Sequence, residues 1–184
     1  MSISLVQSSK MLDLIRQLSC MMDFKKKLPS NVFINGEYHF AFFERPLLSF
    51  VDIFSAMVSA SILQFESEII VKFSGDDLVA GSCLSIKGTD VDGDSVCLSK
   101  RSEDFFGGKL NYPIIFFNGG LDWVAVESAY EELGVIAIRS SACHGLFNDF
   151  IVSNFISCAE LKDLASNKST DGIIAKAFAS AYCM

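Results

Sequence analysis

The chain is short of the residues that build familiar catalytic and cofactor sites. It has two histidines, and its six cysteines, at 20, 83, 97, 143, 158 and 183, include no Cys-x-x-Cys pair. Zinc sites draw on closely spaced Cys and His ligands, so this spacing gives no zinc motif. Neither Gly-x-Gly-x-x-Gly nor Gly-x-x-x-x-Gly-Lys-Ser/Thr is present, which removes the usual glycine-built phosphate cradles. Cationic residues are in the minority, 15 Lys+Arg against 22 Asp+Glu for a net charge of −7. That balance repels phosphate backbones and anionic lipid heads, so the expected partner is a basic protein, with no direct nucleic acid and no membrane. The opening residues, Met-Ser-Ile-Ser-Leu-Val-Gln-Ser-Ser-Lys, lack the basic flank and apolar run of a secretory signal. The expected location is cytoplasmic, and in that reducing compartment the cysteines read as buried thiols. No internal repeat, low-complexity tract or linker interrupts the chain.

Apolar residues are abundant, 51% of 184 positions, enough for one globular domain spanning 1–184 with a sizeable core. From Ser9 to Met22 the apolar residues Leu12, Ile15, Leu18 and Met22 recur at helical spacing, with Lys25, Lys26, Lys27 and Pro29 closing the segment. Asn35-Gly36 supplies the positive φ angles of a type I′ hairpin between Val32–Ile34 and Glu37–Phe43. Pro46–Phe65 carries a single charge, Asp52. It reads as a mostly buried helix rather than a span, because charged Glu44, Arg45, Glu66 and Glu68 lie just outside it and no Trp anchors or clustered basic residues flank it.

Glu68–Phe73 alternates as a strand, and Leu78–Lys87 and Ser95–Lys100 have β-compatible composition, which puts Asp90 and Asp92 at a hairpin tip. Ser102–Asn111 then reads as a loop that carries Glu103 and Asp104 outward. Tyr112–Phe117 is an apolar strand buried on both faces. After Asn118-Gly119-Gly120, Asp122 is placed to cap a helix to Leu133 with Glu127, Glu131 and Glu132 outward, and Val135–Ile138 completes a β-α-β passage. Phe147–Leu164 and Asp171–Tyr182 read as helices. The fold class is therefore α+β, a mixed and largely antiparallel sheet packed by helices, with a helical C-terminal part.

Three constellations have chemical potential. Cys143-His144 with Asp149 nearby contains the residue types of thiolate catalysis, which needs a base beside the sulfur. Adjacent residues point apart on a strand and diverge by about 100° on a helix, so a buried thiol beside a surface imidazole is the simpler reading. Asp90-Val-Asp-Gly-Asp94 offers hard oxygen donors, yet Gly93 stands fourth where a calcium loop needs it sixth, and Arg101 takes the twelfth place of the bidentate Glu. No metal is expected. Asn118-Gly119-Gly120 joins a strand to the expected helix, where a phosphate would meet Asp122 and be repelled, so no cofactor is expected either.

What remains is the concentration of carboxylates at Asp90, Asp92, Asp94, Glu103 and Asp104, followed by Glu127, Glu131 and Glu132. Acidic loops on a rigid sheet accelerate encounter with a cationic surface. The expected function is non-enzymatic: an acidic protein of the immunity or antitoxin type that neutralises a cognate basic toxin or nuclease domain by covering its active surface. The alternatives are an acidic secretion chaperone or effector-binding protein, for which Met11, Met21 and Met22 would supply adaptable packing, and a cysteine-dependent enzyme using Cys143.

Overall fold

The computed structural model describes residues 3–88, 90–107 and 113–183. Its centre is an eight-stranded sheet built from β1 (Ser4–Leu5), β2 (Tyr38–Glu44), β3 (Ile69–Phe73), β4 (Cys83–Ile86), β5 (Ile114–Asn118), β6 (Trp123–Glu127), β7 (Leu133–Arg139) and β8 (Ile156–Ser157). The spatial order is β1-β4-β3-β5-β6-β7-β2-β8, and every pairing among the described residues is antiparallel. Six helices cover the sheet: α1 (Ser8–Leu18), α2 (Val51–Phe65), α3 (Val91–Phe106), α4 (Gly145–Asn154), α5 (Cys158–Ala165) and α6 (Thr170–Tyr182). The fold is α+β with a helical C-terminal part.

Strand alternation divides the core into two layers. Ile70, Ile115, Phe117, Val124, Val126 and Val135 face α1, α5 and α6, while Ile69, Val71, Ile114, Phe116, Ala125 and Ile136 face α2, α3 and α4. Because helices bury both faces, the central strands read as continuous apolar runs with no polar side. Burial of this kind contributes roughly 25 cal/mol per Å² of apolar surface and dominates the stability of the fold. Phe42 meets Phe178 edge-on at 6.0 Å between ring centres, and Phe40 meets Tyr182 at 5.1 Å, docking α6 on β2. On the opposite face Trp123 stacks on Phe147 of α4 at 5.1 Å, and its Nε1–H donates to Ser61 Oγ of α2 at 2.8 Å. Gly134 lies across from Phe43, where a Cβ would sit 2.2 Å from the Phe43 ring, so only glycine lets that ring lie against β7.

Several expected elements take another form. Asn35 has positive φ (55°), yet no hairpin forms: Phe33 bridges back to Met22, and β2 pairs with β7 and β8 instead. The buried Phe33 ring packs against Tyr38, Phe40 and Tyr182, which holds the segment before the turn off the sheet. The first helix stops at Leu18 with Arg16 in its last turn, so Lys25–Lys27 lie beyond it. The Ser95–Lys100 strand is helix α3. Asp90 is its N-cap, accepting from the Gly93 N–H at 3.3 Å, and Asp92 and Asp94 sit in its first turn, where the helix dipole favours anions. Part of the loop assigned to Ser102–Asn111 is the end of α3, and 108–112 lie outside the described residues.

The expected helix from Asp122 is strand β6, so β5, β6 and β7 form a meander in place of a β-α-β unit. Asn118 closes the β5–β6 turn: its Oδ1 accepts from Asp122 N at 2.8 Å and its Nδ2 donates to Asp122 Oδ2 at 2.7 Å. Asp122 is thus bonded across a hairpin turn and caps no helix. The near-continuous apolar run Trp123-Val-Ala-Val-Glu127 takes a strand because its place in the sheet is central and covered on both faces.

The reading of all six cysteines as buried thiols is corrected. Cys158, the first residue of α5, and Cys183, the C-cap of α6, form a disulfide with Cα atoms 5.5 Å apart; of the others only Cys83 is buried. Such a bond persists in an oxidising environment. It closes a 25-residue separation, and breaking it is expected to lower stability by about 2–3 kcal/mol. Denaturant midpoints of wild type and of the Cys158→Ser/Cys183→Ser double variant, each with and without reductant, check this. A wild-type midpoint that reductant leaves unmoved would count against the bond.

Candidate functional site

The structure separates the predicted acidic residues into three environments. Asp92, Glu103 and Asp104 are exposed along α3, and Asp90 is exposed at its cap. Asp94, on the same helix, is fully buried and cannot meet a partner in this fold. A helix turns successive residues by about 100°, so the alternate aspartates that a hairpin would present together point apart here. Glu131 and Glu132 lie in the turn between β6 and β7, half-buried and exposed respectively. Glu127, expected outward on a helix, is fully buried at the end of β6, because in a strand its side chain shares the α2–α3 face with Trp123 and Ala125.

The β6–β7 turn is fastened from below by Arg45, which follows β2. Its Nη2 donates to the Ala129 carbonyl at 2.7 Å, its Nε to the Glu131 carbonyl, and its backbone N–H to the Glu132 carbonyl at 3.2 Å. The guanidinium is thereby committed to main chain. Glu127 closes the same corner: Oε2 accepts from the Leu47 N–H at 2.9 Å, while Oε1 is buried without a hydrogen-bond partner. Burial pushes the Glu127 carboxyl up to about 7, against the smaller opposing effects of the Leu47 N–H and the Arg45 charge. Tyr130, at the tip of the turn, is 83% exposed.

Beside this turn lies a cleft of about 540 Å³, formed where the ends of β2 and β7 meet β8, α5 and α6. Leu133, Ile156, Ile174 and Ala175 are its buried or half-buried apolar lining, and exposed Leu164 extends it. Glu44, Glu132 and Asp171 line it as exposed carboxylates. Among the described residues none of the three takes part in a salt bridge or a side-chain hydrogen bond. A second, more apolar cleft of about 200 Å³ shares Glu44 and Ile156 and adds Phe50, Ile53 and Phe155 on the other side of the sheet edge. Of the large cleft's carboxylates the sequence pointed only to Glu132. Glu44 and Asp171 stand 127 positions apart in the chain, and only the docking of α6 beside β2 brings them together.

Cys143 does not form a catalytic pair among the described residues. Its Sγ donates to Asn148 Oδ1 at 3.0 Å, and burial raises the thiol, whereas a nucleophilic cysteine needs its thiolate stabilised. His144 caps α4 with its side chain exposed, and its carbonyl accepts from Gln64 Nε2 at 2.7 Å. His39 is exposed on β2 opposite Ile138. Cys143→Ser is therefore expected to leave function intact and to change stability by less than about 1 kcal/mol. Loss of function in cells with an unchanged denaturation midpoint would restore the cysteine-enzyme alternative.

No group of three or more His, Cys, Asp or Glu among the described residues is placed to hold a metal ion, and no described helix is long and apolar enough to cross a membrane. Comparison of the chain with protein-family models, curated proteins and solved structures gives no match in any of the three.

Proposed function

We propose that this protein is a non-enzymatic binder of a cationic protein, an inhibitor of the immunity or antitoxin type that covers the basic active surface of a cognate toxin or nuclease domain. The observation that carries this reading is the set of exposed carboxylates, Asp92, Glu103 and Asp104 on α3 and Glu132 beside the cleft, that are left without salt bridges among the described residues. Uncompensated charge on rigid elements contributes little to folding, and it steers association with a surface of opposite sign. A net charge of −7 adds a long-range field of the same sign.

The test is co-expression with the product of the adjacent gene. Rescue of cells from that product supports the reading, and undiminished toxicity in the presence of the folded protein overturns it. For a partner so obtained, the combined Asp92→Asn, Glu103→Gln, Asp104→Asn and Glu132→Gln variant is expected to fold with stability within about 1 kcal/mol of wild type. Its association at low salt should slow by roughly tenfold, with a flatter dependence on ionic strength. Wild-type rate and salt response in stopped-flow measurements would remove α3 from the interface.

A further inference from the structure

We infer that the cleft between the β2–β7 end of the sheet and α5–α6 receives a lysine or arginine side chain from an apolar segment of the partner protein. The alkyl stem would lie on Leu133, Ile156 and Ile174, and the cationic head among Glu44, Glu132 and Asp171. This rests on the reading of the protein as a binder of a cationic protein and names the place and chemistry of one contact.

The cleft combines two demands that few ligands meet together. Its lining removes hydrocarbon from water, while its exposed carboxylates favour a positive group. A bare metal ion does not suit it, because the carboxylates do not converge closely enough to form a metal-binding group. An anion or a nucleic acid would be repelled, and a purely apolar ligand would leave the carboxylates unanswered. Lysine and arginine side chains have the matching form, an aliphatic stem ending in a charge that stays near water.

Arg45 also lines the cleft, but its guanidinium is held on the Ala129 and Glu131 carbonyls and pairs with none of the three carboxylates, so its single positive charge leaves the lining net negative. Exposed Leu164 continues the apolar surface outward, so a residue flanking the inserted cation also finds apolar ground. The walls are pre-organised. The Cys158–Cys183 disulfide joins α5 to α6, a capping box between Ser157 and Glu160 fixes the start of α5, and Arg45 N–H holds the Glu132 carbonyl. A site set before binding loses little conformational freedom on occupation.

The test uses the full oxidised chain and n-hexylguanidinium as probe, followed by amide chemical-shift mapping at low salt. The expected result is saturable binding in about the millimolar range, with the largest shifts at Leu133, Ile156, Ile174 and Ala175, and no saturation by guanidinium alone or by n-hexanol at the same concentrations. The Glu44→Gln/Glu132→Gln/Asp171→Asn variant should bind the probe at least about fivefold more weakly. Asp92→Asn/Glu103→Gln/Asp104→Asn, which removes equal charge from α3, should change it by less than about twofold. Equal weakening by both triple variants would show a general field and overturn the cleft, as would hexanol giving the same shifts with the same affinity. Protection of cells by the folded cleft variant at the wild-type level would also overturn it, while leaving the inhibitor reading standing. Probe binding in the cleft with no toxin neutralised would support the cleft and sink the inhibitor reading.

Discussion

Raising the pH from about 5 to about 8 is expected to destabilise the protein through Glu127, and Glu127→Gln is expected to remove that loss. The carboxyl is fully buried, one oxygen is bonded to the Leu47 N–H and the other has no hydrogen-bond partner. Burial lifts it from the ordinary glutamate range to about 7. Between the unfolded and folded values the native state therefore holds a proton that the unfolded chain has released. By linkage, stability is greatest below the unfolded value, falls as pH rises towards about 7, and stays at the lower level above it. The elevation corresponds to roughly 3 kcal/mol.

Urea midpoints at pH 5 and pH 8 for both proteins give the answer, with the difference between them isolating Glu127 from other titrating groups such as Glu68, whose carboxyl Lys10 and Ser85 hold down against partial burial. The variant should gain on wild type as pH rises. Parallel pH profiles would mean that the carboxyl is solvated in solution. The consequence reaches the candidate site, because Glu127 and Arg45 together fasten the corner from which Glu44 and the β6–β7 turn project.

Trp123→Ala is expected to cost about 3–5 kcal/mol, the range for removing a fully buried aromatic and leaving a cavity. Trp123 has no exposure, stacks on Phe147 and donates to Ser61, which is itself fully buried. Truncation thus deletes the contact between sheet and α4 and leaves the Ser61 hydroxyl without its donor. For a chain of this size a loss of that order lowers Tm by roughly ten degrees. Trp123→Phe separates the two contributions, keeping a ring against Phe147 while losing the hydrogen bond, and should cost less than half as much. Circular-dichroism melts of the three proteins measure it. A loss below about 1 kcal/mol in Trp123→Ala would contradict the packing described.

Sequence alone determined the elements whose signals are local and unopposed. Helix α2 announces itself by a long apolar run with one charge, and Phe54, Met57 and Val58 are buried as its spacing requires. Strand β3 is legible from the alternation over Glu68–Phe73 and β5 as a short apolar run, and α6 follows the polar break that begins at Ser166. Net charge and the absence of cofactor motifs likewise need no coordinates.

Tertiary structure decided the rest, and for one physical reason: a short apolar segment fits a helix or a strand, and its neighbours choose. Ser95–Lys100 became helix once Asp90 capped it and Leu98 found the α2 face of the core. Trp123–Glu127 became strand because the Asn118 side chain closed a hairpin and a central position in the sheet was open. Those two choices moved the carboxylates, burying Asp94 and Glu127 and spreading Asp92, Glu103 and Asp104 along a helix. The cleft itself lies beyond any local signal. Glu44, Glu132 and Asp171 come from a strand end, a turn and a helix start, and only the burial of Phe178 and Tyr182 against β2 makes them neighbours.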